Sequence, residues 1–199
     1  MSSKADKMRE IREEVLALES SPLYSYRTSG NYYPVIGEGS HDAKMVFIGE
    51  APGKNEAKTG RPFCGAAGKI FDELLASIGL LRKDIYITNI VKDRPPENRD
   101  PLPEEVKVYG PYLDREIEII KPEVLVTLGR YSTRYIMERC GLTDELCPIS
   151  AVHGNLFKGA TPDGRAVSIL PLYHPAAAIY QRALKETLIK DFAMVKKFL

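Results

Sequence analysis

Residues 44–53 read Lys-Met-Val-Phe-Ile-Gly-Glu-Ala-Pro-Gly, a short apolar run that stops at a glycine and passes into a Gly/Pro loop. Such a run, without polar alternation, reads as a strand buried on both faces. The next periodic stretch, residues 66–78 ending at Gly79, has helical spacing, so the unit is strand, loop, helix. The unit recurs. Residues 84–90 predict a second strand, a Pro-rich loop runs to Pro103, and a helical region continues to Ile120. Residues 123–128 predict a third strand, followed by a helix over 132–140, and residues 166–173 predict a last core strand. His174-Pro175 and a C-terminal helix over about 183–198 follow it. Strands alternating with helices imply a parallel sheet. Gly110-Pro111 is expected to break the long helical region in two. Upstream, Met8, Ile11, Val15, Leu16 and Leu18 predict an amphipathic helix over 4–18. The aperiodic, tyrosine-rich stretch 20–42 predicts a surface strap.

The 199 residues suit a single domain spanning 1–199, and 44% hydrophobic with 28% charged residues excludes a disordered or fibrous chain. Lys and Arg number 28 against 27 Asp and Glu, a net charge of +1, so any contact with a polyanion must use a local basic face. No apolar run approaches the ~18 residues of a membrane span, and the first residues are charged and periodic, unlike a signal peptide. A cytoplasmic protein without a membrane partner is expected. The three cysteines, Cys64, Cys140 and Cys147, form no CxxC pair and too small a set for a four-thiolate metal site.

Open α/β sheets bind ligands beyond the carboxyl ends of their strands. Four places meet that rule: Gly49-Glu-Ala-Pro-Gly53, Asn89, Gly129-Arg130 and His174-Pro175. The first is not a phosphate-binding P-loop, because three residues instead of four separate its glycines and Asn55 follows Lys54. Ser40-His41-Asp42 is no triad, since consecutive side chains do not converge. Cys140, Cys147 and His153 lack ligand spacing and a fourth donor. Alone, His174 reads equally as a packing or a catalytic histidine, and Asn89 reads first as a turn residue. Together with Glu50 and Phe63 they make an acid, an aromatic plate, an amide and an imidazole facing one crevice, an inventory that suits a flipped nucleobase.

With these residues placed, the chain closely resembles the family 4 uracil-DNA glycosylases. The matching pieces are Gly-Glu-Ala-Pro-Gly at 49–53, Thr59-Gly-Arg-Pro-Phe63 with Gly65, Ile87-Thr-Asn-Ile-Val-Lys92, Arg94-Pro-Pro-Glu-Asn-Arg-Asp-Pro101, Thr127-Leu-Gly129 and Tyr173-His-Pro-Ala-Ala177. They extend in order over nearly the whole chain. The resemblance implies a three-layer α/β/α fold with a central four-stranded parallel sheet, and hydrolysis of the N-glycosidic bond of uracil in DNA by a monomer. It implies catalytic roles for Glu50, His174 and Asn89, with Phe63 stacking on the base. Ala51 stands where family 1 enzymes carry the water-positioning aspartate, and Gly53 where they carry the tyrosine that blocks thymine. Glu56 resembles the family's own blocking glutamate. Whether Glu50 orients the base or the water stays open, as do two rival functions: a DNA-binding relative without turnover, and a glycosylase for other damaged bases such as hypoxanthine.

DNA contacts are expected from Lys92, Arg94, Arg99 and Arg182, with Ala178 or Ile179 at the tip of an apolar wedge. Most family 4 members hold a [4Fe–4S] cluster on four cysteines. The corresponding positions here are Leu18, Ser21, Asp93 and Gly110, so no cofactor is expected. Packing by Tyr24, Tyr26, Tyr32 and Tyr33 is expected to replace its constraint on the strap and the Pro-rich loop.

Overall fold

The computed structural model describes residues 2–181 and 183–199. Six strands form one sheet: β1 (Gly37–Gly39), β2 (Met45–Gly49), β3 (Tyr86–Asn89), β4 (Val124–Leu128), β5 (Phe157–Ala160) and β6 (Ala166–Leu172), in the order β1-β3-β2-β4-β6-β5. The four inner strands run parallel, and they are the four that the apolar runs predict. The edge strands β1 and β5 pair antiparallel and extend the expected four-stranded sheet to six.

The helices are α1 (Lys4–Leu16), α2 (Tyr24–Ser29), α3 (Lys54–Thr59), α4 (Ala66–Ile78), α5 (Pro103–Ile120), α6 (Arg130–Arg139), α7 (Ile149–Val152), α8 (Ala177–Tyr180) and α9 (Ala183–Val195). Because alternate strand residues face opposite ways, each inner strand feeds two cores. Val46, Ile48, Leu125 and Ile169 pack with α1, α5 and α6 on one face. Phe47, Ile87, Val126 and Leu170 pack with α4 and α9 on the other. Phe47 anchors that second layer, with ring centroids 5.3 Å from Phe71 and 6.1 Å from Phe192. Among the described residues no helix is long and apolar enough to cross a membrane.

Gly110-Pro111 does not divide the helical region, since α5 runs unbroken for 18 residues. Pro111 removes one donor to the carbonyl of Lys107. Lys107 and Pro111 both lie on the exposed side of the helix, where the unpartnered carbonyl is open to solvent.

The strap and the Pro-rich loop are joined by a buried polar network. Ser21 and Tyr109 hydroxyls lie 2.6 Å apart, Tyr109 donates to Asp93 Oδ2 at 2.6 Å, and Arg27 Nη1 faces Asp93 Oδ1 at 3.5 Å while donating to the Val15 carbonyl. Burial pushes the Asp93 carboxyl upward, and the bonds from Tyr109 and Arg27 counter it. Of the strap tyrosines, Tyr26 and Tyr32 reach the Pro-rich loop by accepting from Arg94, Tyr24 lies under the Arg27 guanidinium, and Tyr33 is exposed and makes no such link.

Candidate functional site

β2 and β3 end level, with Gly49 opposite Asn89, while β6 ends opposite β4 at Leu172 and Leu128. Side chains just past these ends therefore enter one crevice, where the sheet order reverses between β2 and β4. A cavity of about 540 Å³ opens there, within the usual range for ligand sites. Glu50, Ala51, Gly53, Glu56, Phe63, Asn89 and His174 all line it.

Gly49 explains how two of these side chains share the floor. A Cβ at position 49 would fall on Asn89 Oδ1 and come within 2.9 Å of the Phe63 ring. Phe63 and Asn89 are themselves buried, and the Phe63 ring lies 5.6 Å from His174 at an interplanar angle of 28°. The His174 ring is oriented from its own loop. The Ala176 amide donates to His174 Nδ1 at 3.1 Å, which leaves Nε2 to carry the proton of a neutral imidazole. Desolvation in the cavity holds the His174 pKa down at about 4, so the ring stays neutral at ordinary pH.

Glu50 shifts the other way. Burial, reinforced by the Asp100 carboxylate and opposed by Arg130, raises its pKa to about 7. Asp100 also lines the cavity, and it accepts from Arg130 Nη2 at 2.5 Å and from the Tyr131 hydroxyl at 2.7 Å. Nothing in the strand pattern marks Asp100; its place in the Pro-rich loop near the cavity is set by tertiary packing. Glu56 reaches back across the loop, where Oε1 accepts from the Cys64 amide at 2.9 Å and the Gly65 amide at 2.7 Å. A Cβ at Gly53 would lie 2.7 Å from Glu56 Oε2, so this carboxylate occupies the space a side chain at 53 would take.

Among the expected DNA contacts, Lys92, Arg94 and Ala178 need correction because they are buried. Lys92 is fully buried: its ammonium pairs with Glu116 at 2.8 Å and donates to the Thr88 hydroxyl and the Asn89 carbonyl. Desolvation pushes Lys92 down and Glu116 up, and their mutual attraction opposes both shifts. Its charge serves the end of β3 and not a phosphate. Arg94 is buried against Asn98, Tyr26 and Tyr32, and Arg99 forks onto Glu105 with two bonds of 2.9 and 2.6 Å. Ala178 is buried too, while its neighbours Ile179 and Tyr180 are 46% and 85% exposed. Arg182 lies outside the described residues. Lys54 is exposed and lines the cavity.

Leu18, Ser21, Asp93 and Gly110, the positions that the resemblance sets against cluster cysteines, do not fit a thiolate-bound metal. Ser21 and Asp93 are joined through Tyr109, Gly110 is covered by the Tyr135 ring, and Leu18 packs against the core. Cys64 and Cys147 are exposed elsewhere, and Cys140 is buried. Among the described residues no three His, Cys, Asp or Glu side chains are grouped to hold a metal ion.

Residues 36–199 match the Uracil DNA glycosylase superfamily. The chain is 43% identical over 190 residues to the type-4 uracil-DNA glycosylase of Archaeoglobus fulgidus, an alignment covering 96% of this chain and 92% of that protein. It is 42% identical over 193 residues to the type-4 enzyme of Sulfurisphaera tokodaii, covering 96% and 84%. With the type-4 enzyme of Thermotoga maritima the identity is 37% over 201 residues, covering 100% and 98%. A crevice built at the ends of β2, β3 and β6 and a likeness that runs the length of the chain lead to one assignment: it belongs to the uracil-DNA glycosylase superfamily, in its type-4 branch.

Proposed function

We propose that the chain is a uracil-DNA glycosylase, cleaving the bond between uracil N1 and deoxyribose C1′ in a nucleotide swung out of DNA and leaving an abasic site. The observation that carries this reading is the convergence of Glu50, Phe63, Asn89 and His174 on one cavity. Uracil lies against the Phe63 ring. Asn89 accepts from N3–H through Oδ1 and donates to O4 through Nδ2. Cytosine has no N3 proton and carries an amine at position 4, so it leaves both halves of the carboxamide unpaired. Thymine's extra methyl meets Glu56, which fills the space beside Gly53.

As the glycosidic bond breaks, the sugar becomes oxocarbenium-like and negative charge gathers on the departing base. His174 Nε2–H donates to O2, a bond that strengthens as the charge grows and so favours the transition state over the ground state. Ala51 supplies no base. Glu50 as carboxylate orients a water molecule; the water oxygen bonds to C1′, its proton passes to Glu50, and uracil leaves as an anion with the N1 electron pair. Ile179 and Tyr180 enter the duplex in place of the extruded nucleotide, and Lys54 faces the phosphates.

All of these groups come from one chain, which supports a monomer acting as one domain on DNA in the cytoplasm. The reading includes no cofactor: the Ser21–Tyr109–Asp93–Arg27 network ties the strap to the Pro-rich loop where relatives are expected to carry a cluster.

Three outcomes are expected. Oligonucleotides carrying one U, T or hypoxanthine, treated with the protein and then alkali, are cut at U, and His174→Ala lowers the rate by about 10²–10³ with its circular dichroism unchanged. Absence of U-dependent cleavage by the natural chain contradicts a catalytic role, and binding without cleavage marks a non-catalytic relative. The pH profile of kcat/KM rises through about 7 as Glu50 loses its proton, and Glu50→Gln removes that rise; a rate that falls over this window contradicts the carboxylate role. The purified protein is colourless, iron-free and fully active after chelation, whereas a brown preparation with stoichiometric iron overturns the cofactor-free reading.

A further inference from the structure

We propose that Arg82 is a positioning residue for Phe63, closing a strained loop so that the ring is presented to the extruded base as a fixed plate. The proposal rests on the glycosylase reading for its consequence, though not for its geometry. Phe63 has φ of 49°, in the left-handed region that a bulky aromatic residue seldom enters, and must be held there by its surroundings.

Two charged side chains do this from opposite sides. Arg82, in the turn that leads into β3, donates from Nη1 to the Pro62 carbonyl at 3.1 Å and from Nη2 to the Phe63 carbonyl. Its Nε donates to Asp72 on α4 at 2.7 Å, and its guanidinium lies 5.8 Å from the Phe71 ring centroid. Across the loop, Glu56 accepts from the Cys64 and Gly65 amides. Successive carbonyls at 62 and 63 thus face a cation, and successive amides at 64 and 65 face an anion. Gly68 completes the arrangement, because a Cβ there would collide with the Phe63 carbonyl.

The Arg fork is needed for this. It spans two neighbouring carbonyls and a carboxylate at once, which the single ammonium of lysine does not match. Phe63 also packs on Phe71 at 5.1 Å, so Arg82 ties the plate to α4 at both its backbone and its ring. The Arg82 side chain is one-fifth exposed, at the rim of the core and not inside it, which permits substitution without emptying a cavity.

A double-mutant cycle tests the assignment. Arg82→Ala is expected to lower kcat/KM on U-containing DNA about ten- to a hundredfold. In a Phe63→Ala background the same change is expected to cost less than about twofold, because the plate it holds is gone. Arg82→Lys keeps charge and stem but not the fork, and is expected to fold and still lose most of the rate. Hydrogen exchange at the Cys64 and Gly65 amides is expected to quicken in both Arg82 variants while the rest of the chain is unchanged. Full activity of a folded Arg82 variant, or an equal loss in both backgrounds, overturns the proposal. Unchanged loop exchange overturns it whether or not the natural chain cleaves DNA, whereas an inactive natural chain with a loop that loosens as expected removes only the glycosylase reading.

Discussion

The register between β2 and β3, which sets Gly49 opposite Asn89, is the constraint on which the site depends. A slip of one residue would turn the Asn89 carboxamide to the other face of the sheet and bring a side chain against the Phe63 ring. Val46, Ile48 and Tyr86 are buried on one face and Phe47 and Ile87 on the other, so apolar burial alone fits more than one pairing. What distinguishes the observed register is Gly49, because a Cβ there would fall on Asn89 Oδ1 and the Phe63 ring. The Lys92–Glu116 pair then occupies the Asn89 carbonyl and the Thr88 hydroxyl just where the ladder stops. Breaking such a pair by removing one partner leaves a buried charge, which is why its two members act as a unit.

One cavity moves two titrating groups in opposite directions. Desolvation raises the carboxyl of Glu50 to about 7 and lowers the imidazole of His174 to about 4, each toward its uncharged form. The result is a neutral imidazole and a carboxyl group that ionises near neutrality in the same cavity. The Asp100–Arg130–Tyr131 cluster at the rim adjusts only Glu50, since Asp100 raises it and Arg130 lowers it.

The inner strands were legible because each is a short apolar run closed by a turn, and the site followed from reading what comes directly after those runs. β1 and β5 were not legible: Gly37-Glu38-Gly39 and Phe157-Lys158-Gly159-Ala160 have no lasting alternation and become strands only by pairing with an edge already present. The burial of Lys92 and Arg94 was not legible for a related reason. Charge is visible in a sequence and its partner is not, so Lys92 and Arg94 look like phosphate contacts until Glu116, Tyr26 and Tyr32 are seen beside them. Arg82 was invisible in the opposite sense, as it belongs to no strand end or motif and gains its place from the carbonyls it meets. Residues 21 and 93 do come together, joined through the Tyr109 hydroxyl, so the groups that meet there are hydroxyls and a carboxylate.

The most direct measurement is a crystal structure of the chain with free uracil. The expected density places the ring parallel to Phe63, with N3 and O4 within hydrogen-bond distance of the Asn89 carboxamide and O2 facing His174 Nε2. Uracil seated on another surface, or in the cavity with Asn89 turned away from it, would contradict the shared role of these side chains.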